Sequence, residues 1–471
     1  MQQPAAPPVT FSRADLDRIP GPRGIELISA LRNLVKRPQD FLLEMALKYG
    51  GIVCLPFPLE TVILVSDADA IAHIFHHNHA NYTKQTARFR AVAEIMGHGL
   101  FTTDGAVWRR QRQRVQPAFH QDRLAAFERV VRTEVDRAVE EWRRLAAERT
   151  PLVLNRDLLR LSMLIIVKAM FGADIRGVIE PALDAFDRSH RFINPVSFVN
   201  LLDPPRTVKR LIAPGFRTFE RSLRLLHGVI QGIVDQRMRA GVDNGDLLSM
   251  LIASRDEEAG KAMNAPEVRD EVMTMFMAGH ETVALGLTWS FYLLSTHPTI
   301  RRELQHEIDE VLGGRPPALE DLPKLNLTRM VIDESMRLYP PGWGVDRRAE
   351  RSDVLGGYTI PAGATVGISM YVVHRLPRYW TNPQGFDPWR FSPERSAGRP
   401  PYAYFPFGGG PRRCIGMRFA LIQMQLMLAH LMQHFELDLL PGPPIVPKAR
   451  LNFSPLRDVI VTPRTRAPLA A

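Results

Sequence analysis

The chain has 471 residues, 45% of them hydrophobic, with 38 prolines, two cysteines and a formal net charge of +10. No linker divides it, so a Pro-rich arm and hinge over 1–37 and one domain over 38–471 are expected. Two distant cysteines argue against a disulfide framework and for a reducing, cytoplasmic setting, and basic residues interleaved with acidic ones argue against a nucleic-acid surface.

Met1 to Pro8 is rich in Pro, Ala and Gln, and Ser12 to Arg18 is charged, so neither a leader nor a membrane anchor is expected. Pro38 to Lys48 reads as a short amphipathic helix. The apolar runs Ile52–Phe57 and Thr61–Val65 then read as a strand pair, and Cys54 fits a small buried hydrophobe. His73 and His77 stand one helical turn apart, but no carboxylate or cysteine follows at ligand spacing, so solvated helix-end histidines are expected and not a zinc site. Helical patterns dominate from Asp67 to about Glu310, broken at Pro117, Pro151, Pro195, Pro204-Pro205 and Pro214. Within them, Trp108 to Arg114 gathers four arginines on little more than one turn, a docking face for an acidic partner.

Ala265 to about Thr296 is the longest apolar helix candidate, about 45 Å if continuous. His280-Glu281-Thr282 in its middle makes a membrane span unfavourable. Glu334 and Arg337, three apart on a helix that ends before Pro340-Pro341, can pair on one face. Short strands are expected at Tyr358–Ile360 and Thr365–Ser369 around Pro361-Ala362-Gly363. A last helix should run from Gly416 to about His434.

Before that helix lies Phe407-Gly408-Gly409-Gly410-Pro411-Arg412-Arg413-Cys414-Ile415-Gly416, a setting unlike that of a buried hydrophobic cysteine. The helix start offers backbone N–H groups and a positive dipole end to a thiolate. Three glycines admit close approach of backbone to a flat ligand. Arg412 can hold an acidic group of that ligand, and Phe407 can shield the sulfur from water. The pattern FxxGxRxCxG resembles the haem-binding loop of the cytochrome P-450 superfamily, in which the cysteine thiolate is the axial ligand of haem iron.

The resemblance extends from Pro20-Gly21-Pro22 to Gly416 and implies a mostly helical α+β fold, with a long central helix and small antiparallel sheets. Ala278-Gly279-His280-Glu281-Thr282 resembles the family's oxygen-activating segment: Ala278 and Gly279 would let the helix lie close over haem, Thr282 would hold a water, and Glu281 would relay protons. A helical threonine also commonly bonds back to its own backbone. Glu334, Arg337 and Arg390 resemble the family's buried Glu-Arg-Arg network, a structural role. Trp108 and Arg112 match its WxxxR element, and the resemblance implies that Arg347 and Arg412 would be further propionate partners.

What the resemblance implies is a soluble, monomeric haem b monooxygenase. Its electrons would come from NAD(P)H through a separate ferredoxin or flavodoxin with its reductase, and with dioxygen it would hydroxylate or epoxidise a terpenoid, fatty acid or polyketide. The pocket expected from family position is largely apolar: Phe89, Ile95, Met96, Leu100, Phe101, Phe276, Met277, Trp343, Val345 and Phe453, with Arg88, Arg90 or Asn452 to hold a polar group. A peroxygenase or isomerase, or a non-catalytic haem sensor, would share the cysteine loop but has less need of Glu281-Thr282.

Overall fold

The computed structural model describes residues 16–24, 26, 33, 36–56, 61–186, 188, 208, 215–254 and 263–466. The arm Met1–Pro8, Phe57 and the expected breaks at Pro195, Pro204-Pro205 and Pro214 lie outside them. Helix begins at Pro38, whose fixed φ suits a first turn, and runs to Tyr49. Pro117 falls in a 3₁₀ turn after the helix Gly105–Val115, and Pro151 precedes the strand Leu152–Val153.

Among the described residues the sheets are antiparallel except at one pairing. Ile52–Pro56 and Thr61–Val65 form the expected hairpin, with Ile52 opposite Val65. Thr61–Val65 then pairs in parallel with Thr365–Ile368, which lies antiparallel to Val345–Ala349, and Tyr82–Thr83 closes the edge. Tyr358–Ile360 does not share that sheet. It pairs with Asp353–Leu355 across the turn at Gly356-Gly357, and the turn at Gly363, with φ +81°, then leads the chain into Thr365–Ile368 of the larger sheet.

The central helix is two helices, not one. Ala265–Gly279 starts on a capping box, Glu267 N–H to Asn264 Oδ1 at 2.9 Å and Asn264 N–H to Glu267 Oε2 at 3.0 Å. Glu281–Thr296 follows after a break at His280. The second half is buried on all sides, and its Thr288 and Ser290 hydroxyls bond back to Ala284 O (2.7 Å) and Gly286 O (2.8 Å). A Cβ at Gly286 would stand 2.7 Å from Met424 Sδ, which shows how closely this helix crosses Met417–His434. The main core surrounds that crossing, and two smaller clusters lie on the faces of the five-stranded sheet.

One buried carboxylate organises the approach to the cysteine loop. Glu334 on the helix Asn326–Leu338 accepts from Arg337 Nε (2.7 Å) and Nη2 (2.8 Å), from Arg390 Nε (3.0 Å) and from the Asp387 N–H (3.0 Å). The remaining guanidinium donors reach carbonyls of His374, Thr381, Asn382, Pro383 and Gly385. His374 carries the connection onward, since its Nε2 accepts the Phe405 N–H at 3.1 Å. Burial, then Arg337 and Arg375, hold its pKa well below 6.5, so it stays neutral and an acceptor.

A second pair of carboxylates docks the loop after the helix Ala87–Met96. Asp270 accepts the His98 N–H (2.8 Å) and Glu271 the Leu100 N–H (3.0 Å), while Lys84 Nζ bonds Leu100 O (3.2 Å) and Phe101 O (2.7 Å). Glu271 is fully buried and its Oε1 has no hydrogen bond among the described residues. Burial pushes its carboxyl up to about 7.

Removing Glu334 leaves two guanidinium groups unpaired in the interior. Glu334→Leu is expected to lower stability to denaturant by about 3–5 kcal/mol, as measured by urea unfolding. Glu271 gives a pH signature. Its folded carboxyl binds a proton more tightly than the unfolded one, so its contribution falls as pH rises from 4.5 towards 7. Across that window the wild type should lose on the order of 3 kcal/mol relative to Glu271→Gln, read from unfolding midpoints at a series of pH values.

Candidate active site

The cysteine loop is closed by its own backbone: Gly408 N–H to Phe405 O (2.9 Å), Arg413 N–H to Gly410 O (3.1 Å) and Cys414 N–H to Phe407 O (3.0 Å). Its glycines answer to protein neighbours. Gly410 has φ +63°, and a Cβ there would collide with the Phe75 carbonyl oxygen at 1.7 Å; one at Gly409 would meet the Tyr402 ring at 2.4 Å. The fold itself thus requires glycine at both positions. Gly416 caps the helix Met417–His434, and Phe407 packs half-buried against the main core.

Cys414 opens to solvent at the side chain, whereas Cys54 is buried and its thiol pushed up to about 11. The Cys414 sulfur sits among protein atoms that desolvate it, and this raises its pKa more than the Gly416 N–H, Arg112 and Arg413 lower it. A metal cation supplies the missing stabilisation when it binds a thiolate.

Four cations meet near this loop. Burial pushes Arg347 and Arg412 down to about 10, and lowers Arg112. Lys84 is held well below 10.5 by burial, then by Arg347, Arg412 and Arg112. The nearby anions are fewer. Asp104 pairs with Arg412 and accepts the Lys84 backbone N–H, and Asp346 lies beside Arg347. Arg412 Nε and Nη1 are buried without a hydrogen bond among the described residues, and the guanidinium lies 5.2 Å from the Trp108 ring. Arg112 donates to Arg413 O at 3.0 Å. Lys84 and Asp104 were missed from sequence. Asp104 precedes a helix and reads as an N-cap, but its side chain makes no cap hydrogen bond.

At the break in the central helix, Thr282 Oγ1 donates to Ala278 O at 2.8 Å, and His280 Nδ1 lies 2.5 Å from Phe276 O. Ala278, Gly279 and Thr282 keep partial exposure among buried neighbours. A Cβ at Gly279 would sit 2.9 Å from the Ile166 side chain, so its glycine serves the crossing with the helix Leu154–Phe171. Glu281 is 8% exposed and accepts from Asn452 Nδ2; that amide is thereby engaged and does not stand ready for a substrate.

The expected pocket residues divide into three groups. Ile95, Met96, Leu100, Phe276 and Met277 join the main core along the first half of the central helix. Phe89 and Phe101, with ring centroids 5.6 Å apart, face the cations: Lys84 Nζ lies 5.7 Å and 5.9 Å from their centres, and Arg347 lies 5.7 Å from Phe89. Phe453 is fully buried in a different cluster with Phe41, Met45 and Tyr371, and half-buried Trp343 packs at its edge; Val345 packs beside the sheet. These separations come from long-range pairing, which spacing along the chain does not reveal. Arg88 donates to Gly344 O at 3.1 Å, and Arg90 is exposed. His77 is exposed, and partly exposed His73 has its Nε2 2.9 Å from Asp353 Oδ2, which Tyr82 and Asn78 also reach.

On the outer side of the loop, a groove of about 1220 Å³ is lined by Gln121, Asn326, Phe407, Arg413 and Arg418 among others. Arg109, Arg110 and Arg413 are exposed, while Arg112 and Arg114 are half-buried because Trp108, Gln111 and Val115 turn that helix towards the core. No helix among the described residues is long and apolar enough to cross a membrane.

The donor set fits a flat iron macrocycle bearing two carboxylates. It offers one sulfur for the metal, buried cations in excess of local anions with unfilled Arg412 donors, and a partly exposed stretch of small residues. The comparisons agree. The family model described as Cytochrome P450 matches residues 19–465. Cyclooctatin synthase of Streptomyces melanosporofaciens is 32% identical, with 94% of this chain and 95% of that protein covered. Pentalenene oxygenase of Streptomyces avermitilis is 30% identical, with 91% and 93% covered. The crystal structure of the cytochrome P450DA heme domain matches with a TM-score of 0.84 at 25% identity, covering 96% of this chain and 98% of that one. A cysteine loop braced by a buried Glu-Arg-Arg network, matched over nearly its whole length, makes this chain a member of the cytochrome P450 family and a monooxygenase.

Proposed function

We propose that this enzyme inserts one oxygen atom of dioxygen into a terpenoid, using haem held by Cys414 and by the cation cluster of Lys84, Arg112, Arg347 and Arg412. The observation that carries the reading is an exposed cysteine beside a cluster of cations in which Arg412 keeps two buried nitrogens without a hydrogen bond among the described residues. The substrate class rests on the relatives named cyclooctatin synthase, pentalenene oxygenase and cyclooctat-9-en-7-ol 5-monooxygenase, the last 31% identical. Ile95, Met96, Phe276 and Met277 offer an apolar wall suited to a hydrocarbon skeleton.

When bound, haem supplies the activation of dioxygen and the oxygen insertion. The chain's own part is orientation and proton supply. Because the Thr282 hydroxyl gives its hydrogen to Ala278 O, its oxygen is left to accept a hydrogen bond and hold a water at the helix break. Glu281, beside it, passes protons inward and is recharged from solvent. Electrons from NAD(P)H arrive through a separate ferredoxin or flavodoxin with its reductase, docked over the outer groove against Arg109, Arg110 and Arg413. The enzyme works as a cytoplasmic monomer, with 38–471 as its single domain.

Reduced holoenzyme treated with carbon monoxide should show the long-wavelength Soret band of thiolate-ligated haem, and Cys414→Ser should lose it. Persistence of that band in the variant would end the assignment of Cys414. For Thr282→Ala, haem content and substrate difference spectra should match wild type, but hydrogen peroxide per product should rise. A positioned proton-transfer group is worth about 10²–10⁴ in rate, so an unchanged ratio of product to NAD(P)H would rule out this role.

A further inference from the structure

The hairpin of Pro447–Ala449 and Phe453–Pro455 ends in a turn held from several directions. Trp343 Nε1 donates to Arg450 O at 2.8 Å, Trp289 Nε1 to Phe453 O at 3.0 Å, and the Phe453 N–H to Pro341 O at 2.9 Å. Inside the turn, the Arg450 N–H bonds Asn452 O at 3.1 Å. The backbone on both sides of Asn452 is therefore fixed. Its half-buried side chain spans 171 positions of sequence to donate to the Glu281 carboxylate. Trp289 lies on the same helix as Glu281, about two turns further along. The helix that carries the acid thus also anchors the turn that reaches it.

An amide N–H stabilises the charged form of a carboxylate and fixes its rotamer, whereas an apolar or anionic neighbour opposes that charge. We propose that Asn452 is a positioning residue for Glu281, holding its carboxylate at the hairpin turn and so setting the pH range over which protons are delivered at the helix break. This deepens the proton role of Glu281 given under Proposed function and rests on it. Each proton that Glu281 passes inward is replaced from water, so the carboxyl returns to its starting state and no other reactant is consumed. Asn452 acts only through that carboxylate.

The test uses purified holoenzyme with a surrogate ferredoxin and reductase, and reads product formed per NAD(P)H consumed across a pH series. Asn452→Leu removes the donor at similar volume, Asn452→Asp sets a second carboxylate against Glu281, and Asn452→Gln restores an amide. The pH at which coupling is half-maximal should rise by about one to two units in Asn452→Leu, the value of a hydrogen bond to a charged group. It should rise further in Asn452→Asp and return towards wild type in Asn452→Gln. The carbon monoxide band should stay unchanged throughout, which shows that fold and haem are intact. Glu281→Gln separates the two levels. If it lowers coupling while the Asn452 variants keep the wild-type profile, Asn452 does not act through Glu281 and the inference is overturned. If Glu281→Gln leaves coupling unchanged, the proton role of Glu281 fails, and this inference fails with it.

Discussion

Everything near the cysteine depends on one carboxylate that no water reaches. Glu334 receives four hydrogen bonds, from two guanidinium groups and a backbone N–H, and is fully buried with Arg337. Burying three charges is costly unless every donor and acceptor finds a partner. Here the other arginine nitrogens are spent on carbonyls between His374 and Gly385, so satisfying the charges also fixes an otherwise irregular stretch of chain. From His374 the constraint passes to Phe405, then through the loop's own hydrogen bonds to Cys414. Neutral His374 is essential to that step, because a protonated ring has no lone pair for the Phe405 N–H.

The second group of buried charges is solved differently. Lys84, Arg112, Arg347 and Arg412 outnumber their local anions, and two Arg412 nitrogens lack partners among the described residues. In the function proposed above, a ligand carrying the opposite charge would offset that excess. Arg337 and Arg390 spend their donors on Glu334 and on carbonyls, whereas Arg412 keeps two buried nitrogens without a hydrogen bond among the described residues.

That distinction also explains what was legible in the sequence. The cysteine loop, the Glu334–Arg337 spacing and the helix starts at proline are local patterns, and each could be read directly. The strand Val345–Ala349 was hidden because Asp346, Arg347 and Arg348 break the apolar alternation on which strand reading relies. The parallel partner of Thr61–Val65 lies about 300 residues away, and no turn signal announces it. A Cβ at Gly409, Gly410 or Gly279 would meet Tyr402, Phe75 or Ile166, neighbours that the fold supplies and spacing along the chain does not reveal. Lys84 was invisible as a member of the cation cluster for the same reason, and Asn452, expected to hold a polar group of a substrate, instead reaches Glu281 on a distant element.

The broken central helix shows how such a site keeps its shape. A helix interrupted by His280, with Thr282 bonded back to Ala278 O, forfeits regular backbone pairing in its own middle. It persists because both halves are clamped: Val272 to Met277 on one side and Val283 to Leu294 on the other are almost wholly buried. Rigid flanks confine the irregularity to the residues that carry the hydroxyl and the acid. The acid is then tied across the molecule to Asn452, on a turn that Trp289 of the same helix holds in place. Packing far from the reacting atoms therefore decides where a single carboxylate points.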